Sequence, residues 1–422
     1  MLVKSLRGMK DVGEPEIHLQ LHIEKTIRNI YELSGFHEVR TPYLESTALF
    51  QRGVGDTTDI VEKEMYTFAD RNGDSISLRP EGTASIVRAT LENQWLQLSP
   101  HLKMYYVGPM FRHERPQKGR FRQHTQFGME IFGVEGPWAD VEIMATQNWV
   151  LESLGLSKDI TLKISSLGDQ NCRPAYRETL LRILRPKAID LCADCQRRIE
   201  KNPLRVFDCK VETCRQIAKT LPSVLESLCE PCASHFESVK KGLKELNVSF
   251  EVDPKIVRGI DYYSRTSFEF VTSQIGAQGT VCGGGRYDQL IGQLGGPATP
   301  GVGCGMGLER LSLLLESRTQ EFQPKADLFI AVPDETTKAS AYALCHSLRR
   351  SGVRAEIDLV DRSMKAQFKK ADRLGVPYCG ILGGDELKNN KITLKNMVSG
   401  EQEEVSLTEL ATVLKSKLRK TV

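Results

Sequence analysis

A chain of 422 residues is too long for one ordinary core, so two or three domains are expected. Its 40% hydrophobic and 26% charged residues have the balance of a globular protein, with no apolar run of the roughly 18 residues that a membrane span needs and no apolar secretion segment in MLVKSLRGMKDVGEPE. The net charge of +3 is too small to argue nucleic-acid binding by itself, and eleven cysteines, an odd number, point to reduced thiols in a cytoplasmic setting rather than to a disulfide framework.

Ile23, Ile27, Ile30 and Tyr31 recur at helical spacing, and Ser34-Gly35 closes the run. Phe36 to Pro42 reads as a strand ended by proline. Strands are predicted around 64–68 and 75–79, with Asn72-Gly73 as their hairpin turn. Leu78-Arg79-Pro80-Glu81-Gly82-Thr83 then ends a strand with a carboxylate and a hydroxyl; a surface ion pair at Arg79 or Glu81 is the plain alternative. Strands at 104–107 and 126–132 flank a loop, Phe111 to Arg122, with five fixed positive charges and one glutamate. Several fixed donors of this kind suit phosphate, and Gln126 and Glu130 share one face of the second strand. Successive hairpins predict an antiparallel sheet with helices on one face.

From about Asn171 to Asn247 the chain is rich in Leu, Lys, Arg and Glu and reads as a helical insertion. Cys192-x-x-Cys195 and Cys229-x-x-Cys232 bracket Cys209 and Cys214 there. Paired CxxC units suit tetrahedral Zn²⁺, so Cys192, Cys195, Cys229 and Cys232 are the first-choice ligands of a structural ion. Buried free thiols acting as small hydrophobes are the alternative. Strand signals return at Val248. Arg258-Gly259-Ile260-Asp261-Tyr262-Tyr263 sets a permanently charged fork beside two phenols that can wall a small ring. Gly283-Gly284-Gly285 predicts a tight turn, Gly301 to Gly307 a glycine-rich turn opening a helix at Leu308, and 316–324 a linker. Beyond Ala326, strands at 328–332, 355–359 and 378–382 alternate with helices at 339–350 and 364–374, which predicts an α/β domain with a mostly parallel sheet.

Three of these segments resemble, in order, the motifs of class II aminoacyl-tRNA synthetases. The helix, strand and Pro42 are similar to motif 1, which builds a homodimer interface; Phe111-Arg112-His113-Glu114 and its loop resemble motif 2; Gly301 to Leu311, with Arg310, resembles motif 3. Within that class, RGIDYY and LRPEGT resemble signatures of histidyl-tRNA synthetases, and the likeness covers essentially the whole chain. It implies an α+β fold: an antiparallel-sheet catalytic domain over 1–170 and 248–320, a helical insertion at 171–247, and an α/β anticodon-binding domain at 326–422. It also implies a homodimeric, cytoplasmic ligase without membrane attachment. Such a ligase activates L-histidine with ATP and Mg²⁺ to histidyl-adenylate, then passes histidine to the 3'-terminal adenosine of tRNA(His).

The resemblance assigns roles residue by residue. Arg112 and Arg258 bind the α-phosphate and are the catalytic pair, Glu114 lies at the adenine side, and Arg120 and Arg310 stand nearer the leaving group. Gln117, Lys118 and Arg120 meet the tRNA acceptor end. Glu81, Thr83 and Gln126 hold the α-ammonium, Glu130 and Tyr263 the imidazole, and Tyr262 and Tyr287 complete the histidine pocket. In the tail, Gln367 to Arg373 meets RNA phosphates; a solvated helix face carrying Arg362, Lys365, Lys369, Lys370 and Arg373 is the plain alternative. The competing reading is a non-catalytic paralogue that regulates ATP phosphoribosyltransferase. Such paralogues usually lack the tail and carry degraded motif arginines, whereas Arg112, Arg258, Arg310 and the tail are present here. Arg258→Ala or Arg258→His is expected to cripple adenylate formation in a protein that stays folded and dimeric. Near-normal pyrophosphate exchange would remove Arg258 from the α-phosphate.

Overall fold

The protein is described by a computed structural model over residues 3–55, 58–207, 209–256, 262–276 and 279–419. It divides into two units, Met1–Phe322 and Gln323–Val422. No helix among the described residues is long and apolar enough to cross a membrane.

The first unit is built on an eight-stranded sheet. Its spatial order is His37–Glu38, Leu102–Phe111, Gln123–Phe132, Gly301–Gly307, Thr280–Arg286, Ser264–Val271, Thr161–Ser166 and Glu251–Val252. The two outermost pairs are parallel and the five inner pairs antiparallel. Helices Glu16–Leu33 and Trp138–Ser153 cover one face, where Ile23, Ile27, Ile30 and Tyr31 meet Phe127, Met129 and Ile131. The pleat then sends Gln126 and Glu130 to the opposite face. A small sheet of Leu44–Ser46, Ser75–Leu78 and Tyr66–Ala69 contains the predicted hairpin, with Gly73 at φ +92° in its turn. The predicted strand over 36–42 shrinks to His37–Glu38, because Val39 bonds only once more to Tyr105 before the chain turns to Pro42.

Between Thr161–Ser166 and Glu251–Val252 the chain is helical: Arg173–Leu184, Ala193–Arg198, Glu212–Lys219 and Glu230–Glu245. The first three surround a small core of their own that includes Leu180, Leu184, Ile199 and Val206. The last helix instead sends Phe236, Val239 and Leu243 into the main core.

Three glycine-based or linker expectations are corrected. Gly283, Gly284 and Gly285 lie inside the Thr280–Arg286 strand, and Gly301–Gly307 is also a strand, running directly into the short helix Leu308–Leu314. Both are held in the ladder by pairing on two sides, which overrides glycine's weak strand preference. The expected linker is a 3₁₀ helix, Glu316–Phe322, with Phe322 stacked on His22 at 4.3 Å.

The second unit holds a five-stranded sheet ordered Ala355–Ile357, Leu328–Ala331, Tyr378–Ile381, Lys391–Asn396 and Gln402–Ser406. The first three strands are parallel, as expected, and the last two form an antiparallel hairpin that the sequence reading did not anticipate.

Candidate active site

A cleft of about 1080 Å³ opens on the face of the large sheet opposite helices Glu16–Leu33 and Trp138–Ser153. Its floor is made by glycines. A Cβ at Gly303 would fall 1.7 Å from Glu130 Oε2, and one at Gly305 would fall 2.3 Å from Gln126 Nε2. Glycine is required there for close approach, so that two polar side chains can lie flat across the neighbouring strand.

On that floor the polar groups form one connected set. Thr83 Oγ1 donates to Glu130 Oε1 at 2.7 Å, and the Tyr287 hydroxyl donates to Glu130 Oε2. The backbone N–H groups of Thr83 and Ala84 donate to Glu81 at 2.8 and 2.9 Å, so Glu81 satisfies the first turn of helix Thr83–Glu92. The Tyr106 hydroxyl donates to Gln126 Oε1 at 3.2 Å. The rings of Tyr262, Tyr263 and Tyr287 lie with centroids 4.7, 5.3 and 6.3 Å apart, mostly edge-on. Burial pushes Glu130 well above the usual carboxylate range, and burial raises Glu81 against the pull of its two N–H donors. Burial and nearby carboxylates hold Tyr106 and Tyr287 well above an ordinary phenol, so both stay hydrogen-bond donors. The arrangement suits a small flat ring with polar atoms on its edge, beside an ammonium group.

The basic loop lines the same cleft. Arg112 Nε donates to the Pro80 carbonyl at 2.7 Å, which ties the arginine to the segment carrying Glu81. Glu114 pairs with Arg120 at 2.7 Å and lies 3.9 Å from Arg112. Arg310 donates to the carbonyls of Thr280 and, at 3.5 Å, Gly119. Burial and then Arg120 push Arg310 below an ordinary arginine. His124 reports the same field: burial, then Arg112, Arg310 and Arg120, hold its imidazole down at about 3. Three guanidinium groups, Arg112, Arg120 and Arg310, gathered on one side of the cleft make a site for a multiply charged anion. Gln117 and Lys118 are exposed at the loop tip, where Gly119 takes φ +74° in a tight turn.

Glu81, Thr83, Arg112, Glu114, Arg120, Gln126, Tyr262, Tyr263 and Arg310 thus border one cleft, with Glu130 and Tyr287 bonded to its floor. Arg258 lies outside the described residues. Arg79 makes no surface ion pair: it is buried and donates to Pro109 and Thr41 while stacking on Tyr43. Gln367 is not free for RNA either, since it is buried and its amide is bonded to Val332 and Arg362 backbone. The four first-choice cysteines do not meet. Cys192 and Cys195 gather with Cys209 and Cys214, whereas Cys229 and Cys232 gather with Cys172 and Asp169. Spacing names pairs, and only the fold says which pairs share a centre. Sequence reasoning missed Tyr106, His124 and Glu309. Strand alternation from Met104 was the available signal for Tyr106. Glu309 is raised to about 7 by burial and accepts from the Thr125 N–H at 2.8 Å.

Residues 8–311 match the family model described as histidyl-tRNA synthetase, and residues 327–417 match that of an anticodon binding domain. A histidine–tRNA ligase of Acetivibrio thermocellus is 48% identical over 417 residues, covering 98% of this chain and 100% of the relative. One of Caldanaerobacter subterraneus is 46% identical over 418 residues, covering 99% and 100%. The crystal structure of apo S. aureus histidyl-tRNA synthetase is similar at a TM-score of 0.82 and 36% identity, covering 98% of this chain and 100% of that one.

Proposed function

This chain belongs to the histidyl-tRNA synthetase family, and from that membership we propose which of its residues carry out the ligation of histidine to tRNA. The overall reaction is ATP-dependent joining of L-histidine to tRNA. Full-length relatives at 46–48% identity, all named as ligases, support it over the regulatory paralogue.

The observation that carries the site assignment is the buried Glu130, fixed by Thr83 and Tyr287 beneath Gly303, under a cleft that Arg112, Arg120 and Arg310 line. Glu130 and Tyr263 take the imidazole, and Glu81, Thr83 and Gln126 take the α-ammonium. The histidine carboxylate is then presented to the α-phosphorus of ATP for in-line displacement of pyrophosphate. Arg112, with Arg258, stabilises charge growing on the α-phosphoryl oxygens, while Arg120 and Arg310 receive the leaving group. Glu114 meets the adenine side. Glu269 and Glu309 on the cleft wall offer the hard oxygen donors that Mg²⁺ takes, so the ion fits here. Mg²⁺ bound with ATP offsets triphosphate charge. A ribose hydroxyl of the 3'-terminal adenosine of tRNA(His), guided by Gln117, Lys118 and Arg120, then takes the histidyl group from the adenylate, and AMP leaves as the acyl–phosphate bond breaks.

We place the anticodon-binding role in the second unit, on the exposed row Lys365, Lys369 and Arg373 of helix Met364–Arg373. Lys370 and Arg362 are engaged by Asp358 at 3.1 and 3.6 Å. The reading includes a cytoplasmic homodimer, and the dimer is supported by Leu33, Tyr43 and Leu44, large apolar side chains exposed around the motif 1 segment.

The test is charging of total tRNA with ATP, Mg²⁺ and each amino acid in turn; charging with histidine alone is expected. In Arg112→Ala, pyrophosphate exchange is expected to fall roughly 100- to 1000-fold in turnover, with the KM for histidine changed by only a few-fold. A loss appearing only in the histidine KM would move Arg112 away from the phosphates.

A further inference from the structure

The two cysteine-rich tetrads are built like metal centres. In each, one ligand atom from every residue lies within 4.8 Å of all the others. A tetrahedral Zn²⁺ with Zn–S of about 2.3 Å has sulfur atoms about 3.8 Å apart. Cys192 Sγ and Cys209 Sγ are 3.7 Å apart, and Cys172 Sγ and Cys232 Sγ are 3.9 Å apart. Cys172 and Cys229 each stand 3.7 Å from Asp169 Oδ1. These separations fit edges of such a tetrahedron and are far too long for disulfides. All seven cysteines involved are free thiols.

The placement of each tetrad gives it a job. Cys192, Cys195, Cys209 and Cys214 sit among the small core of the insertion, a core made by only a few short helices. So little apolar surface is a weak source of stability, and a bound ion is a common supplement. Asp169 and Cys172 follow the Thr161–Ser166 strand where the chain leaves the sheet. Cys229 and Cys232 open helix Glu230–Glu245, which returns the chain to the main core. The second tetrad therefore joins the two ends of the insertion. Its neighbour Arg173 donates to the Tyr263 carbonyl at 2.8 Å, so this root is directly tied to the tyrosine wall of the cleft.

We propose that the chain binds two structural Zn²⁺ ions. One is held by Cys192, Cys195, Cys209 and Cys214 and stabilises the insertion. The other is held by Asp169, Cys172, Cys229 and Cys232 and clamps the root of the insertion against the cleft. Four thiolates, or three with one carboxylate and no open position, match a structural rather than a catalytic centre.

The test uses the full chain purified without chelator, with metal content measured by mass spectrometry. About two equivalents of zinc per chain are expected. The double variant Cys209→Ser/Cys214→Ser is expected to keep about one equivalent, and so is Cys229→Ser/Cys232→Ser. Only the second should raise the KM for histidine, through Arg173 and Tyr263. Cobalt substitution gives a second reading on the unaltered protein: thiolate-to-metal charge-transfer absorption from two centres. Fewer than about 0.1 equivalent of any metal in the unaltered protein overturns the proposal. Iron with visible sulfide-to-iron absorption overturns its choice of zinc, and one equivalent lost from neither double variant overturns the ligand sets. None of these metal readings depends on the protein being a ligase.

Discussion

In Glu130→Gln, the KM for histidine is expected to rise roughly 100-fold while the KM for ATP stays within a few-fold. The amide keeps the size of the side chain but swaps one acceptor oxygen for a donor. Thr83 and Tyr287 both donate to Glu130, so one of these hydroxyls must turn from donor to acceptor against the new N–H, and the imidazole loses an acceptor oxygen. The same substitution is expected to raise the melting temperature. Burial holds the folded pKa of Glu130 well above that of an unfolded glutamate. A raised value means that the native state is favoured most below the ordinary glutamate range and loses stability as pH climbs through the folded value. The advantage of the variant should therefore grow with pH from about 5 upward. Pyrophosphate exchange and thermal melts across pH give both readings. A histidine KM within about threefold of the parent would remove Glu130 from the imidazole.

Asp140→Asn is expected to destabilise the first unit by about 3–5 kcal/mol. Arg286 is fully buried; it donates to Asp140 at 2.5 and 3.1 Å, to the carbonyls of Val134 and Gly136, and to Asp288. His235 adds a contact to Asp140 at 3.4 Å. Without the carboxylate, a guanidinium is left in the interior with incomplete compensation. Burial alone would raise the Asp140 pKa, but the Arg286 charge and the hydrogen bonds of His235 and Arg286 together outweigh it and bring the value down to about 2. A folded value below the unfolded one gives stability that is fully present above the ordinary aspartate range. That stability is lost as pH falls from 3.8 toward about 2, and the variant should lack this acid-sensitive step. Because Tyr287 follows Arg286, the variant should also bind histidine more weakly at temperatures where it is folded. Denaturant melts between pH 2 and 7 check both signs. A variant as stable as the parent at neutral pH would show that the pair contributes nothing net.

The glycine strands explain where sequence reasoning stopped. Gly301, Gly303, Gly305 and Gly307 alternate with Val302, Cys304 and Met306, the period-two pattern of a strand with one face in the core. Glycine usually marks a turn, so the pattern reads as a loop until its neighbours are known. Only the assembled sheet supplies Glu130 and Gln126 as the groups that need the space. The role of Tyr106 is hidden in the sequence for a related reason. It sits in an ordinary strand, and its role comes from Gly82 and Gly128 leaving room for its ring beside Gln126.

What the sequence determined by itself was local. Helical spacing at Ile23, Ile27 and Ile30, strand alternation around Glu130, the Asn72-Gly73 turn and the alternating tail follow from periodicity and turn chemistry within short windows. The motif residues were legible because each group lies in one continuous stretch. What the tertiary structure decided was which distant side chains meet: Asp140 with Arg286, Thr83 with Glu130, and Asp169 and Cys172 with Cys229 and Cys232. Those pairings depend on strand register and helix packing across the whole sheet. No short window holds that information, because a side chain's partners are set by the path of the chain between them.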